Sequence, residues 1–124
     1  MKEKRQHIRF PSNRPIVMFL GDRHIYATMT DFSRHGVGFI SSSHPEVDSN
    51  IEVHFDIVSP IENNRLHQFQ FKGTVKHCIT YSQNSHIGVR LEVNDQDYFD
   101  IFDALHDIKD HQTALYTDPR MVNL

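Results

Sequence analysis

Residues 51–57 read Ile51-Glu52-Val53-His54-Phe55-Asp56-Ile57, apolar and polar side chains in strict alternation. Successive side chains of a strand point to opposite faces, so a period of two marks a strand with one face in a core and the other in solvent. Phe69, Phe71, Gly73, Val75, His77 and Ile79 continue the alternation and predict a long, bent strand with those residues on one face. Ile87, Val89, Leu91 and Val93 give a further strand. Upstream, residues 15–20 and 23–30 are apolar or β-branched runs separated by Gly21-Asp22, a two-residue hairpin signal. Residues 36–41 form a short apolar run between polar clusters, and turn-rich breaks fall at 41–50, 59–65 and 82–85. This many short strands in one small domain predicts a mostly β fold, an antiparallel barrel that is closed or nearly so.

The period changes near residue 95. Tyr98, Ile101, Phe102, Leu105, Ile108 and Gln112 recur at steps of three and four, one face of a helix expected over about residues 95–112. Asn94 or Asp95 can cap its start, and Asp97 and Asp100 suit the positive end of the helix dipole. Its aromatic stripe is expected to pack on the barrel. The expected organisation is a flexible basic arm over 1–10, a barrel with its helix over 11–115, and a tail over 116–124.

Composition narrows the function. The 124 residues correspond to one domain, and 38% hydrophobic with 23% charged residues is a globular rather than a disordered composition. No apolar run approaches the roughly 18 residues of a membrane span, and the start, MKEKRQHIRF, lacks the apolar segment of a secretory signal. A single cysteine, Cys78, forms no internal disulfide, so a cytoplasmic location is expected. The net charge of −3 does not suit a general nucleic-acid coat, yet it hides an asymmetry. Residues 1–38 carry seven basic against three acidic residues, whereas 92–124 carry two against eight. An anionic partner is therefore expected at the N-terminal part.

Two familiar chemistries find no support. The ten histidines show no paired metal-ligand spacing; His106 and His111, five apart, point to different faces of a helix. Asp31, Ser33 and His35 are close in sequence, but a catalytic triad is a spatial arrangement, and the chain there is expected to turn. Gly36-Val37-Gly38 is too short for a dinucleotide fingerprint. Neither a metal nor catalysis is expected.

Two constellations carry more. Arg5 and Arg9, with Lys4 beside them, present planar guanidinium forks that match phosphate oxygens and the guanine O6/N7 edge. Asp31-Phe32-Ser33-Arg34-His35-Gly36 sets a carboxylate and a hydroxyl near a glycine at a strand junction. The carboxylate can accept from guanine N1–H and N2–H₂, and the glycine permits close approach or positive φ. An RxxxR pair alone is expected by chance about 0.5 times in such a chain, but both patterns in order at this spacing only a few times in about a thousand.

These residues resemble the PilZ domain, the bacterial receptor module for cyclic di-GMP, whose pattern is RxxxR followed some twenty residues later by [DN]xSxxG. Arg5-Gln6-His7-Ile8-Arg9 and residues 31–36 match it position by position, and Ile87-Gly88-Val89-Arg90-Leu91 is similar to the family's last barrel strand. The likeness covers about residues 4–110 and implies a six-stranded antiparallel β-barrel with a C-terminal α-helix. It also implies a non-catalytic receptor that changes conformation on binding cyclic di-GMP and signals to an effector protein. The implied ligand residues are Lys4, Arg5, Arg9, Asp31, Ser33 and Gly36, and a basic residue at Lys4 goes with an intercalated dimer of the ligand. The family's middle-strand tryptophan is missing, and His77 occupies its place. Two alternatives stand beside this one: a PilZ-like interaction module that does not bind the nucleotide, and a small barrel for single-stranded nucleic acid. The second needs aromatics exposed along a basic groove, and most aromatics here fall at core periodicity.

Overall fold

A computed structural model of the chain describes residues 8–109. Its strands are β1 (Phe10–Pro11), β2 (Pro15–Leu20), β3 (Arg23–Phe32), β4 (Gly36–Ser41), β5 (Asn50–Ser59), β6 (Arg65–Tyr81) and β7 (Asn84–Leu91). A short 3₁₀ turn (Pro60–Glu62) joins β5 to β6, and one helix, α1 (Gln96–Lys109), follows β7. The strands pair in the order β1-β3-β2-β5-β6-β7-β4, and β4 pairs back onto β3. That last pairing closes six antiparallel strands, β2 to β7, into the expected barrel, leaving the short β1 as an addition to β3. Closure gives every barrel strand two neighbours, so the described residues leave no long barrel edge to pair with another chain.

The local chemistry agrees with the pairing. Leu20 faces Arg23 across the Gly21-Asp22 loop, and Gly21 has a φ of 62°. A positive φ at the first loop residue alone fits a II′ hairpin turn, which twists the way the strands do. In β5 the alternation is as expected: Ile51, Val53, Phe55 and Ile57 are all buried. They join Ile16, Met18, Met29, Val37, Phe39, Val75, Ile87 and Val89 in one core.

The helix closes the core from one side. Asp95 accepts a hydrogen bond from the Asp97 amide at 2.9 Å and is the N-cap. Tyr98, Ile101, Phe102 and Leu105 are buried, as their spacing predicts. Tyr98 meets Phe69 and Phe71 edge-on with ring centroids 5.1 Å apart, and Phe102 lies 5.0 Å from Phe10. Phe10, at the end of the expected arm, sits in β1 and is 1% exposed. Gln112 and the expected tail lie outside the described residues.

One expectation fails, and its cause matters for function. His77 and Ile79 do not continue the buried face of β6: Ile79 is 59% exposed, and Cys78 packs against the core instead. Val75 pairs with Val89 but His77 pairs with Gly88, so Lys76 is an extra residue. A bulge of this kind inverts which side chains face in, because strand side chains have a period of two.

Candidate functional site

The bulge in β6 has a counterpart in β3. Met29 pairs with Phe39 but Asp31 pairs with Gly38, which leaves Thr30 as the extra residue. Each bulge therefore sets two outward side chains opposite one glycine: Thr30 and Asp31 opposite Gly38, Lys76 and His77 opposite Gly88. Gly38 and Gly88 are themselves paired. A row Asp31–Gly38–Gly88–His77 thus runs straight across four strands on the outside of the barrel.

The glycines are required by what lies over them. A Cβ on Gly38 would stand 2.4 Å from an Asp31 carboxylate oxygen, and one on Gly88 would stand 2.2 Å from the His77 ring. Asp31 and His77 lie down across the sheet and face each other over a bare strip of backbone. Beside the strip is an open depression of about 190 Å3, lined by residues that include Arg9, Ser33, Gly36, Lys76, His77 and Arg90.

The residues expected to bind ligand fall here where they are described. Arg9 Nη1 lies 3.3 Å from Asp31 Oδ2, so the two sequence motifs touch, and the Arg9 side chain remains 49% exposed. The other Asp31 oxygen, Oδ1, is buried and has no hydrogen-bond partner among the described residues. Ser33 is only 5% exposed; its amide donates to the Gly36 carbonyl at 2.8 Å and its hydroxyl to the same oxygen at 3.4 Å. The hydroxyl therefore closes the turn between β3 and β4. Gly36 does not have positive φ. Its lack of a side chain serves close approach, because a Cβ there would stand 3.1 Å from the Val89 carbonyl oxygen. Lys4 and Arg5 lie outside the described residues.

The turn is held from behind by α1. The buried Tyr98 hydroxyl donates to the Ser33 carbonyl at 2.5 Å, and burial pushes its pKa well above the usual phenol value, so it stays a donor. Arg34 pairs with Asp103 at 2.6 Å and lies over the Phe99 ring, 4.5 Å from its centroid. The Leu91 amide donates to the His35 carbonyl at 2.7 Å. Two elements, α1 and β7, thus fix the second motif, whereas Arg9 is tied to the site by one half-exposed ion pair.

Two histidines complete the wall. His77 Nε2 lies 3.3 Å from His86 Nδ1 with the rings stacked 18° from parallel, and His86 Nε2 lies 3.2 Å from the Thr30 hydroxyl. Partial burial lowers the His77 pKa below the ordinary imidazole value; His86 and Arg9 lower it further, and Asp31 pulls the other way. His86, Lys76, Arg90 and the glycine pair escaped the sequence reading. The one available signal was a glycine in the middle of each of two predicted strands. No group of three or more metal-ligating side chains occurs among the described residues, and no helix there is long and apolar enough to cross a membrane.

Comparison with known proteins agrees with this fold. The model of the PilZ domain matches residues 3–105. No curated protein sequence matches the chain. Among solved structures, the Bacillus subtilis inhibitor of motility MotI/DgrA is similar with a TM-score of 0.73 at 10% identity, over 91% of this chain and 55% of that one. The K. pneumonia MrkH–c-di-GMP complex gives 0.60 at 12%, over 89% of this chain and 54% of that one. Borreliella burgdorferi PlzA in complex with c-di-GMP gives 0.55 at 11%, over 93% and 55%. The chain spans about half the length of these structures.

Proposed function

The chain belongs to the PilZ domain family, and from that premise we propose that it is a receptor for cyclic di-GMP that signals through a separate effector protein. Domains of this family are binding modules rather than enzymes. The observation that carries the reading is the Arg9–Asp31 contact, which brings both halves of the motif to one rim of the glycine-lined row.

The chemistry of the ligand fits that rim. Cyclic di-GMP has two anionic phosphates and two guanine faces, so it needs cationic forks and edge acceptors. Arg9 supplies a fork, with Arg5 and Lys4 as the proposed further cations. Asp31 supplies the acceptor, with Oδ1 buried and without a hydrogen-bond partner among the described residues. Ser33 and Gly36 act by shaping the turn on which that carboxylate stands. An exposed pair such as Arg9–Asp31 is worth at most about 1 kcal/mol, whereas a charge-assisted hydrogen bond to phosphate contributes about 1.5–3 kcal/mol. Exchanging the first for the second is favourable. Fixing backbone on binding costs about 1 kcal/mol per residue, so affinity near micromolar, about −8 kcal/mol, is expected. Lys4 favours an intercalated ligand dimer, so two molecules per chain are expected.

Calorimetric titration with cyclic di-GMP tests the reading. Wild type should bind near micromolar, and Arg9→Ala and Asp31→Ala should each weaken binding about tenfold to a hundredfold. Absence of heat with wild type, or unchanged binding in both variants, would leave the alternative of a PilZ interaction module without the nucleotide.

A further inference from the structure

The His77–His86–Thr30 chain has no part in the motif, yet it forms one end of the row that the motif begins. The two ring nitrogens 3.3 Å apart share one hydrogen bond, so one ring donates and the other accepts. The Thr30 hydroxyl, 3.2 Å from the far nitrogen of His86, can donate or accept there. This geometry accommodates one extra proton and no more. When His77 is protonated, Nε2–H donates to His86 Nδ1, His86 carries its own proton on Nε2, and Thr30 accepts it. A second proton would set two N–H groups against each other.

The surroundings set when that proton enters. His77 faces Asp31 from β3, His86 and Arg90 from β7, Lys76 on its own strand, Arg9 ahead of β1, and His35 at the turn. Arg9, Lys76 and Arg90 are cations, and Asp31 is the one carboxylate among these groups. In the free protein a further positive charge is therefore opposed. An anion seated on the row reverses the sign, because its charge offsets the nearby cations and favours imidazolium.

Resting on the cyclic di-GMP reading, we propose that His77 is a ligand-contacting residue that takes up one proton as the anionic nucleotide settles on the Asp31–Gly38–Gly88–His77 row. His86 and Thr30 accommodate the proton by exchanging donor and acceptor roles. His77 thereby adds a cationic donor at the far end of the row from Asp31, and receptor affinity depends on pH. His77 binds its proton weakly in the free state and strongly in the complex, so binding strengthens as pH falls between those two pKa values and levels off outside them.

The experiment is calorimetry of the full chain with cyclic di-GMP from about pH 8 to about pH 5.5, repeated in two buffers of different ionisation heat. Wild type should bind about tenfold tighter at the acidic end and should take up close to one proton per site near the midpoint. His77→Gln, whose amide cannot be protonated, should give a flat profile and no buffer dependence, whatever its affinity. Ring-proton NMR of wild type, free and saturated, gives the answer without substitution: the His77 titration should move upward on binding. A wild-type affinity that is flat with pH and free of proton uptake overturns the proposal, as does a pH dependence that persists in His77→Gln. Absence of binding at every pH overturns the cyclic di-GMP reading itself, so the two failures are distinct.

Discussion

The two walls of the barrel are built from the same kind of strand and differ in regularity. Along one wall, β5 pairs with β6 from Asn50–Thr74 to Ser59–Arg65 without a register shift. Along the other, β3, β4, β7 and the second half of β6 carry both bulges, the Gly38–Gly88 pair and the charged row. The regular wall spends its alternation on the core. The bulged wall gives up regular pairing to turn one more side chain outward on each flank, which the bare glycine strip then accommodates. A recognition surface on a small barrel arises where the ladder is broken, because an unbroken ladder fixes every second side chain inward.

Substitutions can break that division of labour. The largest stability effect is expected in the regular wall: Phe69→Ala removes a buried ring packed on Phe71 and Tyr98 and should cost about 3–5 kcal/mol by denaturant unfolding. Glycines should separate the walls next. A Cβ on Gly73 would meet the Arg90 carbonyl at 2.7 Å and Val89 at 2.6 Å, so Gly73→Val should destabilise by about 1–3 kcal/mol. The three atoms nearest a Cβ on Gly88 all belong to the half-exposed His77 ring, a side chain on the surface rather than backbone, so in Gly88→Val that ring must shift. The variant should leave unfolding nearly unchanged and weaken cyclic di-GMP binding by about a hundredfold, a loss of about 2.7 kcal/mol. Equal destabilisation by both glycine variants would erase the distinction.

The clamp behind the motif should give a smaller change that crosses both properties. Tyr98→Phe leaves the Ser33 carbonyl without its buried donor and should lower stability by about 1–3 kcal/mol while also weakening binding. The smallest effect is on pH. His77 in the free protein binds its proton less readily than an unperturbed imidazole, so the unfolded chain holds more protons there. Its contribution to stability is complete above the ordinary imidazole range and declines as pH falls through it. Thermal unfolding of wild type should show that decline, and His77→Gln should show less of it.

What the sequence disclosed follows the same division. Ile51 to Ile57 and the Tyr98–Leu105 face were legible because regular elements write their period into the residue order. His77 and Ile79 were misplaced because one extra residue, Lys76, inverts the faces without interrupting the alternation of residue types. The motif was legible as spacing, but the contact of Arg9 with Asp31 depends on β1 pairing with β3, and the hold of Tyr98 on Ser33 joins residues 65 apart. Ser33 read as a ligand contact because its hydroxyl is polar; the fold places it in the lining of the depression and adds a second partner, the Gly36 carbonyl at 3.4 Å, which spacing alone does not show.

The most direct test follows backbone amide chemical shifts during titration with cyclic di-GMP. Perturbations should concentrate at Arg9, Asp31 to Gly38, Lys76, His77 and Gly88, while the β2–β5 pairing stays unmoved. Shifts confined to the regular wall, or none at saturating ligand, would contradict the assignment of the bulged wall as the receptor face.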